Sequence, residues 1–172
     1  MKLLLPPRIV KRLRRELRGR RQEIGGILVG ESVGGDIFRL VDISVQHSGG
    51  SVVHFVRDPD KDFLAKFFER TEKDYTRFNY IGEWHSHPAF EPLPSREDIG
   101  TMVDIIEDPN VGVNFAILII ARLERRRLLQ LSATLFRRGV APEAVSVEIE
   151  ARADEEAPLS ILARVRDFFG LS

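Results

Sequence analysis

The sequence contains no cysteine, which excludes disulfide bonds and thiolate metal ligands and leaves histidine and carboxylate side chains as the available metal ligands. It also has no apolar run near the roughly 20 residues that a membrane span requires. The apolar start Met1–Leu5 ends at Pro6 and Pro7, which is too short for a secretory signal. We therefore expect a cytoplasmic protein without a membrane segment.

The chain has no formal net charge, with 26 basic and 26 acidic residues, but its basic residues are unevenly distributed. Seven of them fall within residues 11–21: Lys11, Arg12, Arg14, Arg15, Arg18, Arg20 and Arg21. Such a cluster raises nucleic-acid binding as an alternative. Apolar residues interleave with it at helical spacing: Ile9, Val10, Leu13 and Leu17. This spacing favours a solvated helix face over a nucleic-acid surface and leaves contact with an acidic partner open.

Two histidines, His85 and His87, end a segment that is rich in aromatic and β-branched residues, Phe78–His85, which predicts a strand. Residues two apart on a strand share a face, so we expect both imidazoles on one side, with Cα atoms about 6.5 Å apart. The following segment, Pro88–Pro94, contains three prolines and is expected to form a stiff loop that turns the chain back.

A helix is predicted to begin at Ser95, which is a good N-cap residue. Its apolar stripe has helical spacing: Ile99, Met102, Val103 and Ile106. Asp98 then lies in the first turn and faces the strand end. Two imidazoles and a carboxylate hold Zn²⁺ with a fourth position open, as in catalytic zinc sites. The pattern therefore predicts one zinc ion per chain, bound by His85, His87 and Asp98. The alternative is that Ser95 and Asp98 form only a capping box.

A zinc hydrolase needs a base that accepts a proton from the attacking water, and two glutamates compete for this role. Glu83 is on the same predicted strand and face as His85, but about 6.5 Å further along. Glu23 runs directly into a short apolar strand whose first residues, Gly25 and Gly26, permit close backbone approach. We therefore prefer Glu23 as the general base over the alternative of a solvated glutamate at a strand end.

These residues resemble the motif of the JAMM or MPN+ metalloproteases: a glutamate before a glycine-containing strand, then His-x-His, seven residues, serine, two residues and aspartate. The matching positions are Glu23, His85, His87, Ser95 and Asp98. The resemblance covers roughly residues 20–122, and the segments Phe55–Asp60 and Gly82–Pro88 look closest to bacterial members. Those relatives often occur in anti-phage operons, including CBASS operons, beside ubiquitin-activating-like and conjugating-like proteins. The resemblance thus implies a role in antiviral defence.

The resemblance also implies the activity: a zinc-dependent isopeptidase that releases the C-terminus of a ubiquitin-like protein, or of a protein conjugated in the same way, from a target lysine. It implies Glu23 as general base and then general acid, and Ser95 as a donor to the oxyanion. Conjugation enzymes from the same operon are the implied partners. Two alternatives stay open: trimming of a ubiquitin-like precursor tail, and a non-catalytic interaction scaffold with the same fold.

The chain is long enough for one domain with a sizeable core, which we place at residues 1–152. Helices are predicted over residues 7–17, 59–75, from 95 onward, and 159–169. Strands are predicted over residues 26–30, 36–46, 51–56, 78–85, 114–121, 128–136 and 145–149. This order predicts an α/β (α+β) fold in which helices flank a mixed, mostly antiparallel sheet. The strand at 114–121, apolar at consecutive positions, is expected to be buried on both faces.

The last segment, residues 153–172, is predicted to be a short acidic linker and a helix with a broad apolar surface. We expect this helix to dock on the same domain, and dimerisation through it is the alternative hypothesis. His47 and His54 flank a Ser-Gly-Gly-Ser segment, which predicts a hairpin turn with exposed histidines rather than a second metal site.

Overall fold

The computed structural model describes residues 1–47, 61–124 and 128–151. Within them the helices are α1 (Pro7–Leu17), α2 (Lys61–Arg70) and α3 (Arg96–Glu107). The strands are β1 (Lys2–Leu5), β2 (Gly25–Gly34), β3 (Ile37–Ile43), β4 (Phe78–Ser86), β5 (Phe115–Leu123), β6 (Leu129–Arg137), β7 (Val140–Ala144) and β8 (Ser146–Ile149). They form one sheet in the order β7-β6-β5-β4-β2-β3-β1-β8. The predicted mixed α+β fold, a single domain with helices flanking the sheet, is confirmed.

The sheet is mixed, with antiparallel pairing as the majority. β1 runs parallel to β3 and β8, and β4 runs parallel to β5. The other pairings are antiparallel: β2 with β3, β2 with β4, β5 with β6, and β6 with β7. The parallel pair β4 and β5 sits in the middle of the sheet, and α3 is part of the crossover that joins these strands.

Helices cover both faces of the sheet. The buried residues of α1 pack on one face, in a core that includes Trp84 and Ile119. On the other face, α3 packs through Met102 and its apolar neighbours against β5, and α2 packs through Phe67 against β2. Alternate residues of β5 join the cores on opposite faces, which confirms that this strand is buried on both sides.

The helix predicted over residues 7–17 is α1, and its most outward basic residues are exposed: Arg8, Lys11, Arg15 and Arg18. This is the solvated face that the sequence pattern favoured. Arg12 pairs with Asp42, and the exposed Arg15 pairs with Glu16.

Several predicted bounds differ from the structure. The helix predicted to reach residue 75 ends at Arg70, because Glu72 and Lys73 adopt positive φ angles of 54° and 57° that cannot continue a helix. The inner strand β1 and the edge strand β7 were not predicted. The predicted strand at 51–56, His54 and the C-terminal segment 153–172 lie outside the described residues. No helix in the described ranges has the length and apolar character needed to cross a membrane.

Candidate metal centre

His85 and His87 lie at the end of β4, where the strand leaves the sheet. Both are buried, with exposed fractions of 4% and 7%. The backbone N–H of His87 donates to the carbonyl oxygen of Ala121 at 3.0 Å, so β5 still holds the chain at this point. Their rings are centred 5.1 Å apart. The structure therefore brings the two predicted imidazoles together on one face of the sheet.

The neighbouring strand approaches His85 unusually closely, through a glycine. Gly25 pairs with His85 in the antiparallel register of β2 and β4. A Cβ atom at Gly25 would lie 2.5 Å from the carbonyl oxygen of Trp84 and 2.9 Å from the Cβ of His85. Both distances are too short for real contacts, so glycine is what permits β2 to run beside His85. The close backbone approach expected here is confirmed.

Asp98 is held against the histidines by the start of α3. Ser95 is the N-cap residue, and its Oγ accepts a hydrogen bond from the Asp98 N–H at 3.1 Å. In return the Ser95 N–H donates to Asp98 Oδ2 at 2.6 Å. The capping box is therefore present. It fixes the carboxyl group of Asp98, which is only 1% exposed, and directs its other oxygen toward the histidines.

Three possible ligand atoms converge at this point. His85 Nε2 lies 3.2 Å from His87 Nε2 and 3.2 Å from Asp98 Oδ1. His87 Nε2 lies 3.6 Å from Asp98 Oδ2. One atom from each of the three residues falls within 4.8 Å of the others, and all three side chains are buried. The capping box and the cluster therefore coexist: Oδ2 accepts the Ser95 N–H and also lies near His87, while Oδ1 faces His85.

A backbone carbonyl sets the orientation of the second imidazole. His87 Nδ1 lies 3.1 Å from the carbonyl oxygen of Glu91. Because a carbonyl oxygen only accepts, Nδ1 carries the proton and the lone pair of the neutral ring is on Nε2. Metal-binding histidines are typically held in this way, by a hydrogen bond from the nitrogen that faces away from the metal.

The electrostatics of the cluster keep Asp98 ionised. Burial raises the pKa of Asp98, but the approach of His85 and the hydrogen bonds with Ser95 outweigh burial and lower the pKa to about 2. A carboxylate that is both buried and charged is costly unless a cation or donors compensate it.

The donor set fits a metal cation. Asp98 Oδ1 is buried and accepts no hydrogen bond from any described residue. With the proton of His87 on Nδ1, its Nε2 lone pair faces the same point as the carboxylate. Two imidazole nitrogens and a carboxylate oxygen are the ligand types of a catalytic zinc site. The structure thus brings together the three side chains that the sequence predicted as ligands.

Comparison with known proteins identifies the family. Residues 6–132, about three quarters of the chain, match the family described as prokaryotic homologs of the JAB domain. The chain belongs to this family. The membership confirms the resemblance to bacterial JAMM or MPN+ proteins that the sequence motif indicated.

One curated protein and one solved structure extend the comparison. The chain is 34% identical over 67 residues to a protein named CD-NTase/cGAS isopeptidase from Enterobacter hormaechei subsp. hoffmannii (strain UCI 50). That match covers 39% of this chain and 37% of the relative, so the chain aligns with well under half of the relative's length. The solution structure of protein DSY2949 from Desulfitobacterium hafniense aligns with a TM-score of 0.62, covering 88% of this chain and 95% of that one. At 18% sequence identity, this likeness shows the fold alone.

The two glutamates that compete as general base occupy different places in the JAB domain. Glu23 lies two residues before β2 begins and is partly exposed. Continuing the register from the pair of Gly25 and His85 by two residues brings Glu23 opposite His87, on the face that carries the imidazoles. The hydrogen bond from the Ser86 N–H to the Ile24 carbonyl, at 2.8 Å, shows that the ladder extends beyond Gly25.

Glu83, by contrast, is 8% exposed and lies on β4 two residues before His85. Burial raises its pKa to about 7, and its carboxyl group accepts a long hydrogen bond of 3.5 Å from the Tyr80 hydroxyl. Tyr80 and Glu83 are three residues apart but share a face of the sheet, because the register of β4 shifts by one residue between Tyr80 and Gly82. Neither glutamate is in the cluster of possible metal ligands.

Two features of this site were missed by sequence reasoning. The hydrogen bond from His87 uses the backbone carbonyl of Glu91, and no residue type signals a backbone acceptor. The irregularity in β4 depends on Gly82, which has a φ of 142° and approaches Ile117 so closely that a Cβ atom would overlap its carbonyl oxygen. An isolated glycine within a strand pattern is the signal that indicates such a feature.

Proposed function

We propose that this JAB-domain chain is a zinc-dependent isopeptidase, which hydrolyses the bond between the C-terminus of a conjugated, ubiquitin-like protein and a target lysine. The observation that carries the proposal is the buried cluster of His85, His87 and Asp98, in which a carboxylate oxygen has no donor among the described residues. Family membership and the isopeptidase name of the Enterobacter relative support the same chemistry.

The residues that would hold one zinc ion are His85, His87 and Asp98, three being the number of protein ligands typical of catalytic zinc. When bound, zinc supplies a Lewis acid that lowers the pKa of water to near 7 and polarises the scissile carbonyl. The capping box and the Glu91 carbonyl hold Asp98 and His87 in place before any ligand arrives. Preorganisation of this kind reduces the free-energy cost of binding.

Glu23 is the proposed general base. Two observations support this role: the register of β2 and β4, continued by two residues, pairs Glu23 with His87, and Glu23 is partly exposed. Its carboxylate would accept a proton from the water that attacks the carbonyl carbon. It would then deliver this proton to the leaving lysine nitrogen, which leaves as a neutral amine. No covalent enzyme intermediate is required.

Ser95 is the proposed donor to the oxyanion. Its Oγ accepts the N-cap hydrogen bond from Asp98, which leaves the hydroxyl hydrogen available to donate. The residue is exposed, so substrate can reach it. One donor aimed at developing negative charge typically contributes about 3 kcal/mol to lowering the barrier.

The substrate we propose is the extended C-terminal tail of a conjugated protein. The name of the Enterobacter relative joins an isopeptidase activity to CD-NTase and cGAS. Conjugates of a CD-NTase are therefore the first substrates to test, in the antiviral setting that the motif resemblance implies. The same panel includes a linear precursor that carries extra residues after the position of its mature C-terminus, because it tests the alternative of tail trimming.

The decisive experiment compares Glu23→Gln with Glu83→Gln in zinc-loaded protein. Both substitutions remove a carboxylate on the same face of the sheet and keep the side-chain size. We expect Glu23→Gln to lower kcat at least about 100-fold with zinc content unchanged, because the proton acceptor is lost. Glu83→Gln should keep kcat within about threefold, because Glu83 is buried beside Tyr80 rather than open to the substrate.

Three results would contradict the proposal. Full activity of Glu23→Gln would remove Glu23 from its role, and loss of activity in Glu83→Gln alone would assign the base to Glu83. If zinc binds but neither conjugates nor the linear precursor are cleaved, the chain is a scaffold that has kept the metal site.

A further inference from the structure

The loop between the two halves of the cluster, residues 88–94, has little secondary structure of its own. It leaves β4 after His87 and reaches α3 at its N-cap residue, Ser95. One hydrogen bond lies within it, from the Leu93 N–H to the Glu91 carbonyl at 2.8 Å. The same carbonyl accepts the bond from His87 Nδ1. The position of this one carbonyl group therefore sets the orientation of His87.

An arginine from the adjacent strand holds the loop from outside. Arg122 is near the end of β5, and its Nη1 donates to the carbonyl oxygen of Phe90 at 3.2 Å. Phe90 directly precedes Glu91, so the two carbonyl groups are on consecutive residues. Arg122 Nη1 is also 3.9 Å from Glu91 Oε1, but that carboxylate side chain is 79% exposed. An exposed pair at this distance contributes little, so the carbonyl of Phe90 is the firmer contact.

The same end of β5 also holds the backbone of His87. Ala121, the residue before Arg122, pairs with Ser86 and accepts the His87 N–H at 3.0 Å. Two consecutive residues of β5 thus fix the start of the loop and its middle. The His87 imidazole lies between these two attachments and is bonded to Glu91.

We propose that Arg122 is a positioning residue for the metal site, which acts on His87 through the backbone of Phe90 and Glu91. By holding the Phe90 carbonyl, Arg122 keeps the next carbonyl, that of Glu91, within reach of His87 Nδ1. The proton then stays on Nδ1, and Nε2 is directed toward Asp98 and the metal. The inference rests on the proposed function for its metal, but not on the identity of the substrate.

The chain offers a matched control at the far end of α3. Arg138 Nη2 donates to the carbonyl oxygen of Ile106 at 3.1 Å, and its Nε lies 3.6 Å from Glu107 Oε2. Arg122 and Arg138 therefore make the same pair of contacts, with a backbone carbonyl and with the glutamate that follows it. Ile106 and Glu107 end α3, whose first turn contains Asp98, so Arg138 has no path to the cluster comparable to that of Arg122.

The first measurement is zinc affinity by competition with a chromophoric chelator. We expect Arg122→Met to weaken zinc binding about 10- to 100-fold, which is the usual effect of removing a group that orients a metal ligand. Arg122→Lys should recover part of this loss, since an ammonium group can still donate to the Phe90 carbonyl. Arg138→Met should bind zinc within about twofold of the wild type.

A second measurement does not depend on zinc. In metal-free protein at about pH 8, nitrogen NMR of the imidazoles reports which ring nitrogen carries the proton. The wild type should show His87 with its proton on Nδ1. Arg122→Met should show a mixture of the two tautomers, and Arg138→Met should match the wild type.

The outcomes separate this inference from the proposed function. Unchanged zinc affinity in Arg122→Met, or equal losses in Arg122→Met and Arg138→Met, would overturn the positioning role. If the wild type binds no zinc, the proposed function fails, and the tautomer measurement alone decides: a mixture in Arg122→Met supports the role, and no change overturns it.

Discussion

The two faces of β4 bury polar side chains in different ways. On the face that packs against α1, Ser86 is fully buried and its Oγ accepts the Ile24 N–H at 3.0 Å. Trp84 is 1% exposed, and its Nε1 donates to the Ser44 carbonyl at 2.9 Å. Each of these two polar groups has a partner in the backbone, so on this face of β4 the hydrogen bonds of Ser86 and Trp84 are complete.

The opposite face is buried to a similar degree but is not complete. His85 and His87 bring their Nε2 atoms within 3.2 Å of each other, next to an Asp98 oxygen that has no donor among the described residues. A buried unpaired polar group costs about 1–3 kcal/mol. A cation bound between these three side chains would offset this free-energy cost at Asp98. For these side chains, hydrogen-bond satisfaction rather than burial therefore distinguishes Ser86 and Trp84 from the cluster around Asp98.

Removing the carboxylate from the incomplete face should have the largest effect. We expect Asp98→Ala to reduce zinc from about one ion per chain to background, because one of three protein ligands is lost. Asp104→Ala is the matched control, since Asp104 is on the same helix but exposed. Metal content by elemental analysis checks both. Equal zinc content in the two variants would mean that Asp98 serves only the capping box.

Adding a methyl group to each face separates stability from metal binding. Gly25 pairs with His85, whereas a Cβ atom at Gly26 would overlap the Ser44 carbonyl on the opposite face. We expect Gly25→Ala and Gly26→Ala each to lower the free energy of unfolding by about 2–3 kcal/mol, because backbone atoms must move. Only Gly25→Ala displaces His85, so only this variant should also lose zinc affinity, at least about tenfold.

Denaturant unfolding and chelator competition measure the two properties in the same samples. A comparable loss of zinc affinity in Gly26→Ala would show that the cluster responds to any strain in the sheet. The difference between the two faces would then have no energetic meaning.

A smaller effect is expected from breaking one bond on the complete face. Ser86→Ala removes the acceptor of the Ile24 N–H and leaves a buried donor without its partner. We expect a loss of about 1–2 kcal/mol in the free energy of unfolding, with zinc affinity within about twofold of the wild type. The two properties are measured as for the glycine variants. A marked fall in zinc affinity would contradict the assignment of Ser86 to structure alone, even though it lies between the two histidines.

Much of this architecture could be predicted, because local patterns determine it. The predicted bounds of α1 match the structure, because the proline marks the start of the helix and the apolar spacing defines its length. The three clustered side chains were also predictable, because strand alternation places His85 beside His87 and helix capping places Asp98. These are short-range constraints that the spacing of the residues records directly.

Long-range features were harder to predict. β1 is only four residues long, and its position in the sheet depends on parallel pairing with β3 and β8, which are distant in the sequence. β7 is short and mostly exposed, with a proline, so its pattern resembled a turn. The role of the Glu91 carbonyl in orienting His87 could not be predicted, because every residue has a backbone carbonyl group. What decides its role is the path of the loop, and the sequence spacing does not encode that path.

The smallest expected effect tests whether the backbone or the side chain of Glu91 determines the position of His87. Glu91→Ala removes a carboxylate that is 79% exposed and 3.9 Å from Arg122, but it leaves the carbonyl that bonds His87. We expect zinc affinity within about twofold of the wild type and a stability change below about 0.5 kcal/mol, since exposed ion pairs contribute little. Chelator competition and thermal unfolding measure both. A tenfold loss of zinc affinity would show that the carboxylate of Glu91, paired with Arg122, holds the loop. The position of His87 would then depend on a surface ion pair, and its metal affinity would fall as salt is raised.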